Sequence, residues 1–129
     1  MRYTIAFAKG HRFEQMNAIP LRELDGQDYL MRLHCEFADH FEALGFEKDF
    51  EVNVRYSSER EDWIQAMVLA RLGCSVMPEF LPVLPGTATR PVVEPEVTRR
   101  ISLVTVAGRR STPAVGAFVR LARRYPWPK

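Results

Sequence analysis

The residues best suited to chemistry cluster after position 32, where Leu33, His34, Cys35 and Glu36 follow one another. An imidazole next to a thiol offers a base and a nucleophile. Adjacent residues of an extended segment point to opposite sides, however, which argues against a catalytic His34–Cys35 pair. A helix starting near Glu36 would instead present free backbone amides beside Cys35, favouring its thiolate and offering donors to an anion. Tyr56, Ser57 and Ser58 make a second polar group, whose hydroxyls suit ligand binding or helix capping. His11 and His40 show no partner by spacing and are expected at the surface. Cys74 is the second cysteine, and the pair forms neither a disulfide framework nor a zinc spacing with the histidines. A redox pair of thiols stays open. No metal or cofactor is expected. The seven glycines are scattered, so there is no phosphate loop, and no Gly-Xaa-Ser-Xaa-Gly elbow occurs. The expectation is a binding protein, not an enzyme.

The elements that must position these residues follow from periodicity. Residues 2–8 are rich in β-formers and read as a strand, ended by Lys9-Gly10-His11-Arg12. Pro20 to Leu24 read as one helical turn closed by Asp25-Gly26, and residues 28–33 as a second strand. Phe37, Phe41 and Leu44 recur at helical spacing, so a helix is predicted from about Glu36 to Leu44, with Gly45 at its end. Residues 50–56 alternate and predict a third strand with one buried face. Ser58-Glu59-Arg60-Glu61 has the form of a capping box, opening a helix to about Leu72 with Trp63, Ala66, Met67 and Ala70 on one face. Cys74 to Met77 read as a short buried strand ending at Pro78. The centre is thus β-α-β-α-β, a pattern that favours parallel strands with helices packed on them. Ligands of such lobes gather beyond the carboxyl ends of the strands, which points to Leu33, His34, Cys35, Glu36, Ser57 and Ser58.

Pro82, Pro85, Pro91 and Pro95 make residues 81–98 an expected extended connector rather than a sheet interior. Residues 101–106 read as a strand able to pair antiparallel with residues 2–8. Thr112 and Pro113 start a last helix, with Val115, Phe118, Val119 and Ala122 on its apolar face and an end near Tyr125-Pro126. A two-stranded ribbon with one helix has a thin core, so a missing or separately supplied partner is expected for this part.

At 129 residues the chain has the length of one domain, and 47% hydrophobic with 26% charged residues is ordinary for a soluble protein. No apolar run approaches the roughly 18 residues that span a bilayer. The start, Met1 to Ile5, lacks a signal-peptide layout, so a cytoplasmic location without membrane contact is expected. Net charge is +2, but residues 1–89 hold nine basic and fourteen acidic side chains, and residues 90–129 nine basic and two acidic. Basic tails attract nucleic acid, yet Arg120, Arg123 and Arg124 fall where a solvated helix face would carry them.

Three stretches together resemble the regulatory domain of LysR-type transcriptional regulators. They are Tyr3 to Phe13 with Ile19-Pro20-Leu21-Arg22-Glu23-Leu24, then Met67 to Glu79 around Leu72-Gly73-Cys74, then Thr98 to Val104 with Ser111 to Val119. Their order and spacing cover essentially the whole chain. The resemblance implies an α/β, periplasmic-binding-protein-like (type 2) fold. In it, residues 9–80 would be the second, Rossmann-like lobe, and residues 1–8 and 81–129 a remnant of the first. It also implies second-lobe effector contacts at Leu33, His34 and Cys35, while the winged helix-turn-helix is absent. DNA contact would then belong to a full-length protein only.

The expected function is sensing of a small-molecule effector, anionic or aromatic, with self-association into a dimer or larger species. Two alternatives stand beside it. One is an interaction protein that pairs with itself or with a full-length regulator. The other is a Cys35-based redox sensor, as the family's peroxide-sensing branch suggests. Against that one, no resolving cysteine lies before the third strand, and Cys74 is on another element.

Overall fold

The structure, a computed structural model, describes residues 1–43 and 51–128. The chain forms two compact units, Met1–Arg99 and Arg100–Lys129.

The first unit is organised by β1 (Tyr3–Ala8). Its alternation sends Tyr3, Ile5 and Phe7 into the main core, where all three are fully buried. Thr4 and Ala6, on the opposite face, are buried too. A strand covered on both faces and both edges must be short-chained or apolar throughout, and β1 is. β2 (Ile19–Pro20) and a helical turn at Leu21–Leu24 come next, and Asp25-Gly26 close that turn, Gly26 at φ +71. β3 (Asp28–Arg32), α1 (Glu36–Ala43), β4 (Asn53–Ser58), α2 (Glu61–Leu69) and β5 (Ser75–Pro78) complete the expected β-α-β-α-β order. Leu44, Gly45 and the start of the third predicted strand lie outside the described residues.

β3 and β4 pair in parallel, and a parallel bridge from Tyr29 to Cys74 carries the ladder on toward β5. Leu30 N donates to Cys74 O at 2.9 Å, and Cys74 N to Asp28 O at 3.0 Å. Gly73 makes this approach possible, because a Cβ there would lie 2.6 Å from the Asp28 carbonyl oxygen. Behind β3, Leu30 packs with Ile64 and Val68 of α2. Burying a side chain of this size is worth about 1.5–3 kcal/mol, so this cluster seats α2 on the ladder.

Several expectations are corrected. β6 (Thr87–Val93) falls inside the predicted connector and is an interior strand of a four-stranded sheet, ordered β2-β6-β1-β5. Pro91 is tolerated because β2 reaches only Val92 and Val93, leaving β6 a neighbour on one side at that point. β1 pairs antiparallel with both β5 and β6. Both its edges are therefore taken, and residues 101–106 form no strand. The third strand runs to Ser58, and Asn53 to Ser57 are exposed rather than one-sided. The capping box does not form: Arg60 precedes α2 without a side-chain cap, and Ser58 Oγ accepts from Arg60 N at 3.0 Å. The buried face of α2 is Ile64, Gln65 and Val68, while Trp63 is exposed. His11 is no free surface residue. Its Nδ1 accepts from Phe13 N at 3.1 Å, and its ring lies 4.4 Å from that of Phe13.

In the second unit, α3 (Pro113–Arg124) begins as expected, Thr112 accepting from Val115 N with Pro113 in the first turn. Val115, Phe118 and Leu121 are 48%, 62% and 70% exposed, as are Ile101, Val104 and Val106 at 68% or more. Arg120, Arg123 and Arg124 are exposed as well. Among the described residues, no helix is long and apolar enough to cross a membrane.

Candidate functional site

The parallel pairing of β3 and β4 brings two loops side by side at the carboxyl ends of the strands. Leu33 N donates to Ser58 O at 3.0 Å and fixes their separation. The chain then turns through His34, whose φ of +54 is left-handed and uncommon for a side chain of this size. The turn directs Cys35 and Glu36 back toward the mouth. A cavity of about 70 Å³ lies here, lined by Leu33, His34, Cys35, Glu36 and Ser58 among others. Five of the six expected residues thus meet. Ser57 does not join them, because neighbours along a strand face opposite ways and Ser57 is turned to solvent opposite Met31.

Sequence reasoning missed the charged walls. Arg32, Glu59 and Glu61 line the same cavity, with Ile64 at its floor. Arg32 Nε donates to Glu61 Oε2 at 2.6 Å, and its Nη1 lies 3.5 Å from Cys35 Sγ. His34 Nε2 and Glu59 Oε1 are 2.9 Å apart, both on exposed side chains. Glu36 pairs with Arg99, which lies 63 residues on in the chain. That hydrogen bond, reinforced by Glu36's own backbone amide, holds the Glu36 carboxyl down at about 2. A strand-ending arginine and a first-turn glutamate were legible signals for Arg32 and Glu61. Nothing local marks Arg99.

Glu61 and Glu36 thus each have an arginine beside them, Arg32 and Arg99, and Glu59 has the His34 ring. Among the lining residues Arg32 is the arginine an anion could meet, and it is paired with Glu61; the amides at the start of α1 are further donors. Apolar wall is limited to Leu33 and Ile64, which leaves little contact area for an aromatic ring. Cys74 sits apart from this chemistry: it is buried, and burial pushes its thiol up to about 12. Both cysteines are free. Among the described residues, no group of three or more His, Cys, Asp or Glu side chains is placed to hold a metal.

A parallel βαβ ladder joined to a mixed sheet, with a polar cavity at its strand ends, is the architecture of a ligand-binding lobe of the periplasmic-binding-protein-like type 2 fold. The chain belongs to the LysR substrate binding domain family, whose model matches residues 1–126. Solved structures share the fold. The Synechocystis CcmR regulatory domain in complex with 2-PG superposes with a TM-score of 0.79 at 16% identity, covering 99% of this chain and 65% of that one. The effector-binding domain of QuiR in complex with shikimate gives 0.75 at 20% identity, covering 95% and 60%. HinK, a LysR family transcriptional regulator from Pseudomonas aeruginosa, gives 0.65 at 20% identity, covering 95% and 43%. This chain thus spans less than two thirds of the length of these relatives. None of the curated proteins matches it in sequence.

Proposed function

We propose that this chain is the effector-sensing part of a LysR-type regulator and that the β3–β4 loops form one wall of its effector cleft. Residues 9–80 then correspond to the second lobe, and residues 1–8 and 81–129 to the chain returning to the first. The observation that carries this reading is the convergence of Leu33, His34, Cys35, Glu36 and Ser58 on one cavity at the ends of two parallel strands. The ligand is a small polar metabolite bearing a carboxylate or phosphate, bound without chemical change in the cytoplasm. Relatives of this fold hold shikimate and 2-PG, which are the natural first probes. Titration calorimetry with shikimate and with 2-PG should give binding by the wild type and at least tenfold weaker binding by Ser58→Ala and His34→Ala. Binding unaltered by both substitutions would place the ligand elsewhere.

A second reading concerns partners. Residues 101–106 and α3 expose a continuous run of apolar side chains, which supports pairing with another copy or with a longer regulator. Sedimentation at tens of micromolar should give a dimer or larger species, and a clean monomer would count against self-association. The Cys35 redox reading retains the nearby Arg32 guanidinium in its favour, but the buried Cys74 thiol is a poor resolving group.

A further inference from the structure

Glu36 belongs to the cavity wall, while its partner Arg99 is the last residue of the first compact unit. The backbone around Arg99 is tied to the start of the chain. Arg99 N donates to Met1 O at 2.9 Å, Tyr3 N donates to Val97 O at 3.0 Å, and Arg2 and Thr98 form an isolated antiparallel bridge. Val97 is buried in the same core cluster as Phe37 of α1, so this end of the segment is anchored by packing. Arg99 is held by its side chain, which pairs with Glu36 of α1 and donates from Nε to Met1 Sδ. Tyr3, fully buried with its ring 5.0 Å from that of Phe37, forms the base beneath α1.

We propose that the Glu36–Arg99 pair is a latch between the cavity and the chain's exit from the first unit. An anion entering beside Cys35 takes Arg99 from Glu36 and loosens Arg99 and its backbone bond to Met1, while Val97 stays in the core. Arg99 keeps an anion beside it throughout, while the site gains one negative charge and Glu36 loses its cation. Glu36 is not stranded by it, because its carboxylate stays in the first turn of α1, where the backbone amides favour negative charge. The pair is also weak enough to be opened by a small ligand. The Arg99 and Glu36 side chains are 27% and 46% exposed, and such partly solvated pairs add little stability. Cys35 and Glu36 are neighbours in the cavity lining, so a charge placed on Cys35 sits beside the latch. The proposal rests on the effector reading only for the identity of the trigger.

Amide hydrogen exchange of the full chain, read by NMR, tests it. Glu36→Ala should speed exchange at the Arg99 amide about three- to tenfold while leaving Tyr3, Ile5 and Val76 unchanged. In wild type, alkylating Cys35 with iodoacetate adds a carboxylate at the cavity, and iodoacetamide adds a neutral adduct of similar size. The charged adduct should reproduce the faster exchange and the neutral one should not. If Glu36→Ala also exposes Ile5, the variant has lost its sheet and the alkylated wild type decides. Unchanged Arg99 exchange in the charged adduct, or an equal change with both adducts, overturns the latch. A failure of shikimate or 2-PG to bind would instead weigh on the effector reading and leave this result untouched.

Discussion

Arg32 at the end of β3 and Glu61 in the first turn of α2 are joined at 2.6 Å, with both side chains less than a third exposed. The contact ties one strand end to the helix that follows the next strand, so the cavity keeps its shape without help from the loop itself. Arg32 also faces Cys35 Sγ, which gives one guanidinium two walls to hold.

A double-mutant cycle on Arg32→Ala and Glu61→Gln should give a coupling of about 1 kcal/mol in urea unfolding, at the upper end of the exposed-pair range because water is partly excluded. A coupling indistinguishable from zero would mean that the pair merely decorates the rim.

Gly73→Ala should destabilise the protein by about 1–3 kcal/mol, since the added methyl meets the Asp28 carbonyl at 2.6 Å and the backbone must shift. Denaturant unfolding measures the loss. A variant as stable as wild type would show that the Tyr29–Cys74 bridge can yield at little cost.

His11 should titrate below 6.5, because burial disfavours its charged form despite the hydrogen bond to Gln27. Its Nδ1 accepts from Phe13 N, so a proton there would place two donors against each other. A lowered pKa on a base means that folding favours the neutral ring. The stabilisation is complete above 6.5 and disappears as pH falls through the folded-state value. NMR titration of the imidazole carbons checks the direction, and a value above 6.5 would refute it.

Glu36 gives an acid dependence of the same sign in a lower pH window. Its carboxyl is held at about 2 against an ordinary 4.5, so its contribution is full above 4.5 and is lost between there and 2. Because the side chain is nearly half exposed, the loss should be near 1 kcal/mol rather than the full value of the shift. Comparing wild type with Glu36→Gln from pH 6 to pH 2 should show a gap that closes in that window.

A small aromatic disulfide at pH 8 should label one thiol in the native protein and two after unfolding. Cys35 is partly exposed, whereas Cys74 is buried with its thiol raised to about 12. Rapid labelling of both in the native state would contradict that placement.

Much of the first unit was legible because its signals are local. Apolar alternation in Tyr3–Phe7, the Gly26 turn and the run from Cys74 to Met77 each name their element within a few residues. The site was legible for the same reason: in a parallel βαβ unit the strand ends converge, so the residues after β3 and β4 had to meet. What misled was also local. Four prolines disguised β6, although its outer neighbour is only two residues long and leaves Pro91 room. A capping-box pattern pointed to Ser58, yet the chain stays extended through Ser58 and the helix starts at Glu61.

The sequence by itself determined the central β-α-β-α-β order and the loops from which the cavity is built. Only the tertiary structure decided that β1 spends both edges on β5 and β6. It alone decided that Arg99 meets Glu36 and Arg32 meets Glu61. Charge pairs between residues tens of positions apart leave no periodic trace in a sequence, since any arginine can reach any carboxylate until the fold brings one of them near.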